Sequence, residues 1–269
     1  MIRTILALTF AATMIAGAGA QPAKTAPAVA QPGKLSYAVA GSFAPFAFVR
    51  NGTLVGFDVE MGDELAKQLE LQPNPLNIEF KGVIPALLGG RVDMINAAMF
   101  ITEERAKQVE FVPYLRVGTE VVVTKTNPSK ITGRDDSLCG KRIAVTLGGI
   151  QETYARADDA RCKAAGKDSI TVMTLPTAQD SLLTVRQGRA DALFDSTPGA
   201  IKATTELPDV FMTVGTTFEA KTRLGYAVRK NDPQMKAAIE QALAAIVKSG
   251  RYREIMQKWA LPATMSIFD

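Results

Sequence analysis

The chain predicts an α/β fold of two lobes, each built on a mostly parallel sheet flanked by helices, and three observations carry that prediction. At 269 residues it exceeds a typical single domain and is long enough for one large or two medium ones. Its 47% hydrophobic and 22% charged residues are the balance of a globular protein. The third observation is a repeated strand, helix, strand pattern: GGRVDMI at 89–95 and QGRADALF at 187–194 each follow a helical segment and lead into an apolar run. That spacing is a βαβ unit, and its recurrence suggests two lobes on one plan.

The first twenty residues are of a different kind. Arg3 precedes an apolar run from Ile5 to Ile15, and small residues end at Ala18, Gly19 and Ala20. This is a secretory signal at 1–20, cleaved after about Ala20, and the mature protein is expected to be exported. No cysteine follows the cut to carry a lipid anchor. Residues 21–33, QPAKTAPAVAQPG, lack periodicity and predict a flexible leader.

Order is expected from Lys34. Leu35–Ala40 predicts a strand, and the loop Gly41–Pro45 follows with Phe43. After a turn at Asn51 and Gly52 and a short strand at Leu54 and Val55, Met61, Leu65 and Leu69 recur every four residues on one face of a helix. Ile78–Phe80 is a candidate strand, Val83–Leu88 a helix ended by Gly89 and Gly90, and Met94–Ala98 the returning strand. Thr102 can cap a helical turn carrying Glu103 and Glu104. Further strands are predicted at Glu120–Thr124, Lys141–Thr146 and Arg223–Val228. Helices are predicted from Ile150 to about Ala157, over Leu182–Gln187, and in the segment bearing Met235, Ile239, Leu243 and Ile246. Tyr252, Ile255, Met256 and Trp259 recur at helical spacing in a last helix and are expected in the core.

The chemistry points to binding. There is no histidine, which removes the commonest general base, the Ser/His and Cys/His nucleophiles and the usual zinc ligands. A formal net charge of +4, one unit of it from Arg3, carries no nucleic-acid signal. No cofactor or metal is expected. The two cysteines, Cys139 and Cys162, are expected to pair in an exported compartment. Gly148 and Gly149 open a helix and form a turn able to hold an anion, although they match neither phosphate-binding glycine motif. Arg105 follows a strand end and a capped turn. There it either pairs with Glu103 or Glu104, or holds a ligand carboxylate through two parallel hydrogen bonds.

In order, FAPF at 43–46, GFDVEMGDELAKQL at 56–69, FKGVIPALLGGRVD at 80–93 and ITEERAKQVEFVPY at 101–114 resemble the periplasmic solute-binding proteins of polar amino-acid ABC importers, the family 3 extracellular solute-binding proteins. CGKRIAV at 139–145, GRADALFD at 188–195, GYAVRKNDP at 225–233 and SGRYREIMQKW at 249–259 extend the resemblance over the mature chain. It implies the two-lobed periplasmic binding protein fold. Lobe 1 would be 34–118 plus 222–269, lobe 2 would be 119–221, and a two-strand hinge would close them on the ligand. It also implies a monomer that delivers an amino acid or derivative to a membrane permease, without chemistry of its own.

By the same resemblance Arg105 holds the ligand carboxylate, aided by N–H groups at Phe100 and at the Gly149, Ile150, Gln151 turn. Phe43 and Phe80 cover the side chain, and Ala98 lies beside them. Three positions depart from the pattern. Ala40 stands where relatives that take cationic ligands carry an acid. Ala97, Ala98, Phe100, Gly149 and Ile150 replace small hydroxyl residues, which makes the pocket drier. The aspartate that pairs with a ligand ammonium is expected at Ser196, but the acid present is Asp195, one residue away, and such a slip turns a strand side chain to the other face, so that either a local adjustment brings Asp195 in or the site prefers a ligand without a free primary ammonium. The alternative is an enzyme on the same fold, a cyclohexadienyl dehydratase-like lyase using Asp195 or Glu152.

Overall fold

A computed structural model describes residues 27–268. The expected signal at 1–20 and the first part of the leader, 21–26, lie outside the described residues. The chain enters lobe 1 with β1 (Lys34–Val39) and a small hairpin sheet of β2 (Ser42–Phe43), β3 (Ala47–Arg50) and β4 (Thr53–Val55), followed by α1 (Phe57–Gln68). It continues through β5 (Gln72–Asn77), α2 (Val83–Leu88), β6 (Met94–Ile95), α3 (Glu103–Ala106) and β7 (Val109–Arg116). Lobe 2 follows as β8 (Thr119–Thr124), β9 (Arg142–Thr146), α4 (Ile150–Ala164), β10 (Thr171–Leu175), α5 (Ala178–Arg186), β11 (Ala192–Ser196), α6 (Thr197–Glu206) and β12 (Phe211–Phe218). β13 (Arg223–Arg229), α7 (Pro233–Lys248) and α8 (Arg251–Lys258) return to lobe 1.

The two sheets are copies of one design. Lobe 1 is ordered β5-β1-β6-β13-β7 and lobe 2 β10-β9-β11-β8-β12; in each, the fourth strand alone runs against the other four. The repeated R-x-D serves this design. The Asp93 N–H donates to the Ser36 carbonyl and its carboxylate accepts the Ser36 N–H at 2.7 Å. Asp191 does the same to Arg142, with its carboxylate accepting the Arg142 N–H at 2.8 Å. Each aspartate thus locks the central strand of its sheet to the neighbouring one, and the motif is architectural.

Several expectations change. Ile78–Phe80 is not a strand: the edge strand is β5, and it contains Pro73 and Pro75. Proline lacks the N–H of a ladder bond, which only an edge position tolerates, so the sequence reads as a break. The returning strand is shorter than expected, Met94–Ile95, with the Asn96 N–H still donating to the Ala38 carbonyl and Ala98 adopting φ +45°. α4 runs on to Ala164, and Cys139 is bonded to Cys162 with Cα atoms 5.6 Å apart. The leader is tied at its end: the Ala30 N–H donates to Asp93 at 2.6 Å and the Gly33 carbonyl accepts from Gln72. β7, β10, β12 and α6 carry no clear periodic signal in the sequence; β7 contains Pro113, and α6 starts from a cap supplied by Ser196.

The apolar periodicity does place the cores. Met61, Leu65 and Ala66 of α1 meet Leu35 and Tyr37 of β1 and Ile239, Leu243 and Ile246 of α7 in the lobe 1 core. In lobe 2, Val121, Val123, Ile143 and Val145 pack with Ala155 and Cys162 of α4.

Candidate functional site

Both lobes contribute to one cavity. Ala40, Ser42, Phe43, Phe80, Ala98 and Phe100 form the lobe 1 wall, while Thr146, Gly149, Ile150, Gln151, Ala178, Ser181, Leu193, Phe194 and Asp195 form the lobe 2 wall. The free space between them is about 30 Å³, enough for two or three waters. The lobes must therefore separate to admit an amino acid.

Phe43, Phe80, Ala98, Phe100, Gly149, Ile150, Gln151 and Asp195 come together around one cavity. Phe100 is 3% exposed and belongs to the lobe 1 core as well as to the cavity. Arg105 stands beside this cavity. Its N–H caps onto the Thr102 hydroxyl at 3.2 Å, while its guanidinium donates from Nη1 to the Phe100 carbonyl at 2.6 Å and from Nη2 to the Gly148 carbonyl at 2.9 Å. The Phe80 ring lies 5.4 Å from its Cζ. Local ion pairing is not its role: Glu104 pairs with Lys107 at 2.9 Å. Burial lowers the Arg105 pKa to about 10, which leaves it cationic at neutral pH. A guanidinium has five N–H donors, so donors remain for a carboxylate.

On the other lobe Gly148 takes φ +76°, a conformation that glycine adopts without strain, and turns the chain into α4. Its N–H donates to Glu152 Oε2 at 2.9 Å, and Glu152 Oε1 accepts from Arg156, so that acid is engaged in its own turn. Gln151 is 8% exposed, and its Nε2 has no partner among the described residues. A donor so placed is set to meet a ligand acceptor, because leaving it unpaired costs free energy.

Asp195 and Ser196 are separated by the alternation of β11. Asp195 lines the cavity, whereas the Ser196 hydroxyl accepts the Gly199 N–H at 3.2 Å and caps α6. Ser196 is thus placed in the helix cap and not in the cavity wall. The carboxylate accepts the Ser196 N–H at 2.7 Å, and burial raises its pKa to about 7. Gly199 makes room for it, since a Cβ there would lie 2.6 Å from both carboxylate oxygens. Among the described residues, Asp195 is the only ionisable one in the cavity wall. Ser42, Thr146, Ala178, Ser181, Leu193 and Phe194 join the wall without having been expected there. Only Thr146 carries a local signal, as the last strand residue before the glycine turn.

Comparison with known proteins agrees with this architecture. Residues 35–262 match the model of bacterial extracellular solute-binding proteins, family 3, and the chain belongs to that family. It is similar to the L-cystine-binding protein TcyJ of Escherichia coli (strain K12), 30% identical over 233 residues that cover 86% of this chain and 84% of that protein. Among solved structures it resembles an ancestral arginine-binding protein bound to arginine, with a TM-score of 0.77, 34% identity and coverage of 84% of this chain and 98% of that one. The corresponding glutamine complex gives the same TM-score and identity, with coverage of 86% and 100%. The ancestral amino acid-binding protein AncCDT-1, a precursor of cyclohexadienyl dehydratase, matches with a TM-score of 0.75, 30% identity and coverage of 84% of this chain and 95% of that one.

Proposed function

We propose that this chain is the exported receptor of an amino-acid ABC importer, and that it takes a zwitterion with an uncharged side chain between its lobes. The observation that carries this is the charge inventory of the cleft: one guanidinium beside the wall, Arg105, and one carboxyl in it, Asp195. Arg105 takes the ligand carboxylate and Asp195 its ammonium. A lysine- or arginine-like side chain would enter an apolar wall with Ala40 where an acid would be needed, and burying an unpaired cation is costly. The similarity to an arginine-binding protein therefore extends to the fold, while the glutamine complex is the nearer guide to ligand charge.

Lobe 1 is taken as 34–118 plus 222–269 and lobe 2 as 119–221, in line with sheet membership. The receptor works as a monomer that closes by hinge motion and hands its ligand to a membrane permease in the periplasm, performing no chemistry.

A thermal-shift panel of neutral, acidic and dibasic L-amino acids, with deaminated and N-methylated analogues, tests the ligand class. At a concentration of about 100 Kd a true ligand adds about 2.7 kcal/mol to stability, a shift of about 5–10 °C for a chain of this size. A neutral L-amino acid is expected to give the largest shift, and tightest binding of L-arginine would overturn the proposal. Arg105→Ala is expected to abolish calorimetric binding of every carboxylate ligand. A second possibility, a dehydratase of prephenate-like acids, is favoured by one observation: the Asp195 carboxyl, raised to about 7, can donate a proton near neutral pH. Turnover of prephenate by the purified chain would establish it.

A further inference from the structure

Asp58 does not line the cavity, yet it is a fully buried carboxyl of lobe 1, as is Asp93. It lies in the first turn of α1, has no exposure, and has no salt-bridge partner among the described residues. An enclosed carboxylate without a cation is costly, so the groups it holds are informative. Oδ2 accepts the Ala98 N–H at 2.7 Å, Oδ1 accepts the Tyr114 hydroxyl at 2.9 Å, and the Asp58 carbonyl accepts from the Asn96 side chain. Capping of α1 is not its task, because Gly56 stands at the cap position.

Ala98 carries φ +45°, a region costly for any residue with a Cβ. The chain turns there, and the turn sets the path of residues 99–105. The Met99 carbonyl accepts from the Gly225 N–H at 3.0 Å, the Ile101 N–H donates to Arg223 at 2.8 Å, and the Phe100 carbonyl receives the Arg105 guanidinium. Ala98 and Phe100 both face the cavity. We propose that Asp58 is a positioning residue for the cleft: by accepting the Ala98 N–H it holds that residue in the left-handed conformation and so aims Phe100 and Arg105 at the ligand. The functional meaning of this role rests on the cleft being the ligand site.

The test compares Asp58→Ala, Asp58→Asn and the double variant Asp58→Ala with Ala98→Gly. Hydrogen exchange of the Ile101 and Gly225 amides is read by NMR on ligand-free protein, and the affinity of L-glutamine by calorimetry. Asp58→Ala is expected to speed both amides and to weaken L-glutamine by about tenfold, the scale of a left-handed penalty. The double variant is expected to recover slow exchange and affinity, because glycine takes a positive φ without a steric cost. It should still show the lower global stability left by the unpaired Tyr114 hydroxyl. Asp58→Asn keeps one oxygen for the Ala98 N–H and is expected to stay near the parent, which provides a folded arm should Asp58→Ala not fold. Unchanged exchange in Asp58→Ala, no recovery in the double variant, or loss of Ile101 and Gly225 protection in a folded Asp58→Asn would each overturn the proposal. The exchange arm contains no ligand, so failure of the parent to bind L-glutamine counts against the ligand class alone.

Discussion

Asp195 shows how one residue can set the pH behaviour of the site. Burial raises its pKa to about 7, whereas an unfolded aspartate titrates near 3.9. Below about 4 both states are protonated; between about 4 and 7 only the folded state keeps the proton. The contribution of Asp195 to stability is therefore full at low pH and is lost as pH rises through 7. A ligand ammonium reverses the preference by stabilising the carboxylate. Affinity is expected to rise up to about tenfold per pH unit below 7 and then level off, with proton release on binding. Calorimetry in buffers of different ionisation enthalpy measures that release. Asp195→Asn is expected to weaken binding and flatten the profile, and a slope that persists in this variant would remove Asp195 from contact with the ammonium.

Among elements, α4 links the cleft to the disulfide. Its first residues, Ile150 and Gln151, are in the cavity wall, and Cys162 near its end is bonded to Cys139 just before β9. The bridge closes a loop of 23 residues, worth about 3 kcal/mol through the entropy of the unfolded chain. Replacing both cysteines by serine is expected to lower denaturation stability by about that amount. Ligand affinity should change little, since the bridge lies at the end of α4 away from Ile150. The short α3 is set differently: Thr102 caps it through the Arg105 N–H, so the residue that starts the turn also orients the guanidinium. That relation was legible in the sequence, because a threonine followed by two acids marks a helix start.

For the whole molecule, the two crossings between lobes meet at Gly118. A Cβ there would lie 2.3 Å from Thr217 Cγ2 and 3.1 Å from the Phe218 carbonyl, and Thr217 is held by its hydroxyl bond to Glu120 at 2.6 Å. Gly118→Val is expected to cost about 1–3 kcal/mol by overpacking, read by denaturation, and to alter ligand affinity through the closed geometry. Closure itself is recorded in Arg105, whose guanidinium joins the Phe100 carbonyl of lobe 1 to the Gly148 carbonyl of lobe 2.

The sequence by itself determined the α/β class, the amphipathic faces of α1 and α7, the cysteine pair and the arginine after a capped turn. All of these depend on local periodicity, caps or spacing, which act over a few residues. Tertiary structure decided the rest. β5 survives two prolines only because it lies at a sheet edge. Asp195 and not Ser196 reaches the cavity because Ser196 is drawn into the cap of α6, and the strand alternation sends its neighbour the other way. Asp58 acquires its role from an N–H forty residues away along the chain. Such contacts are set by packing between distant segments, and no local pattern encodes them.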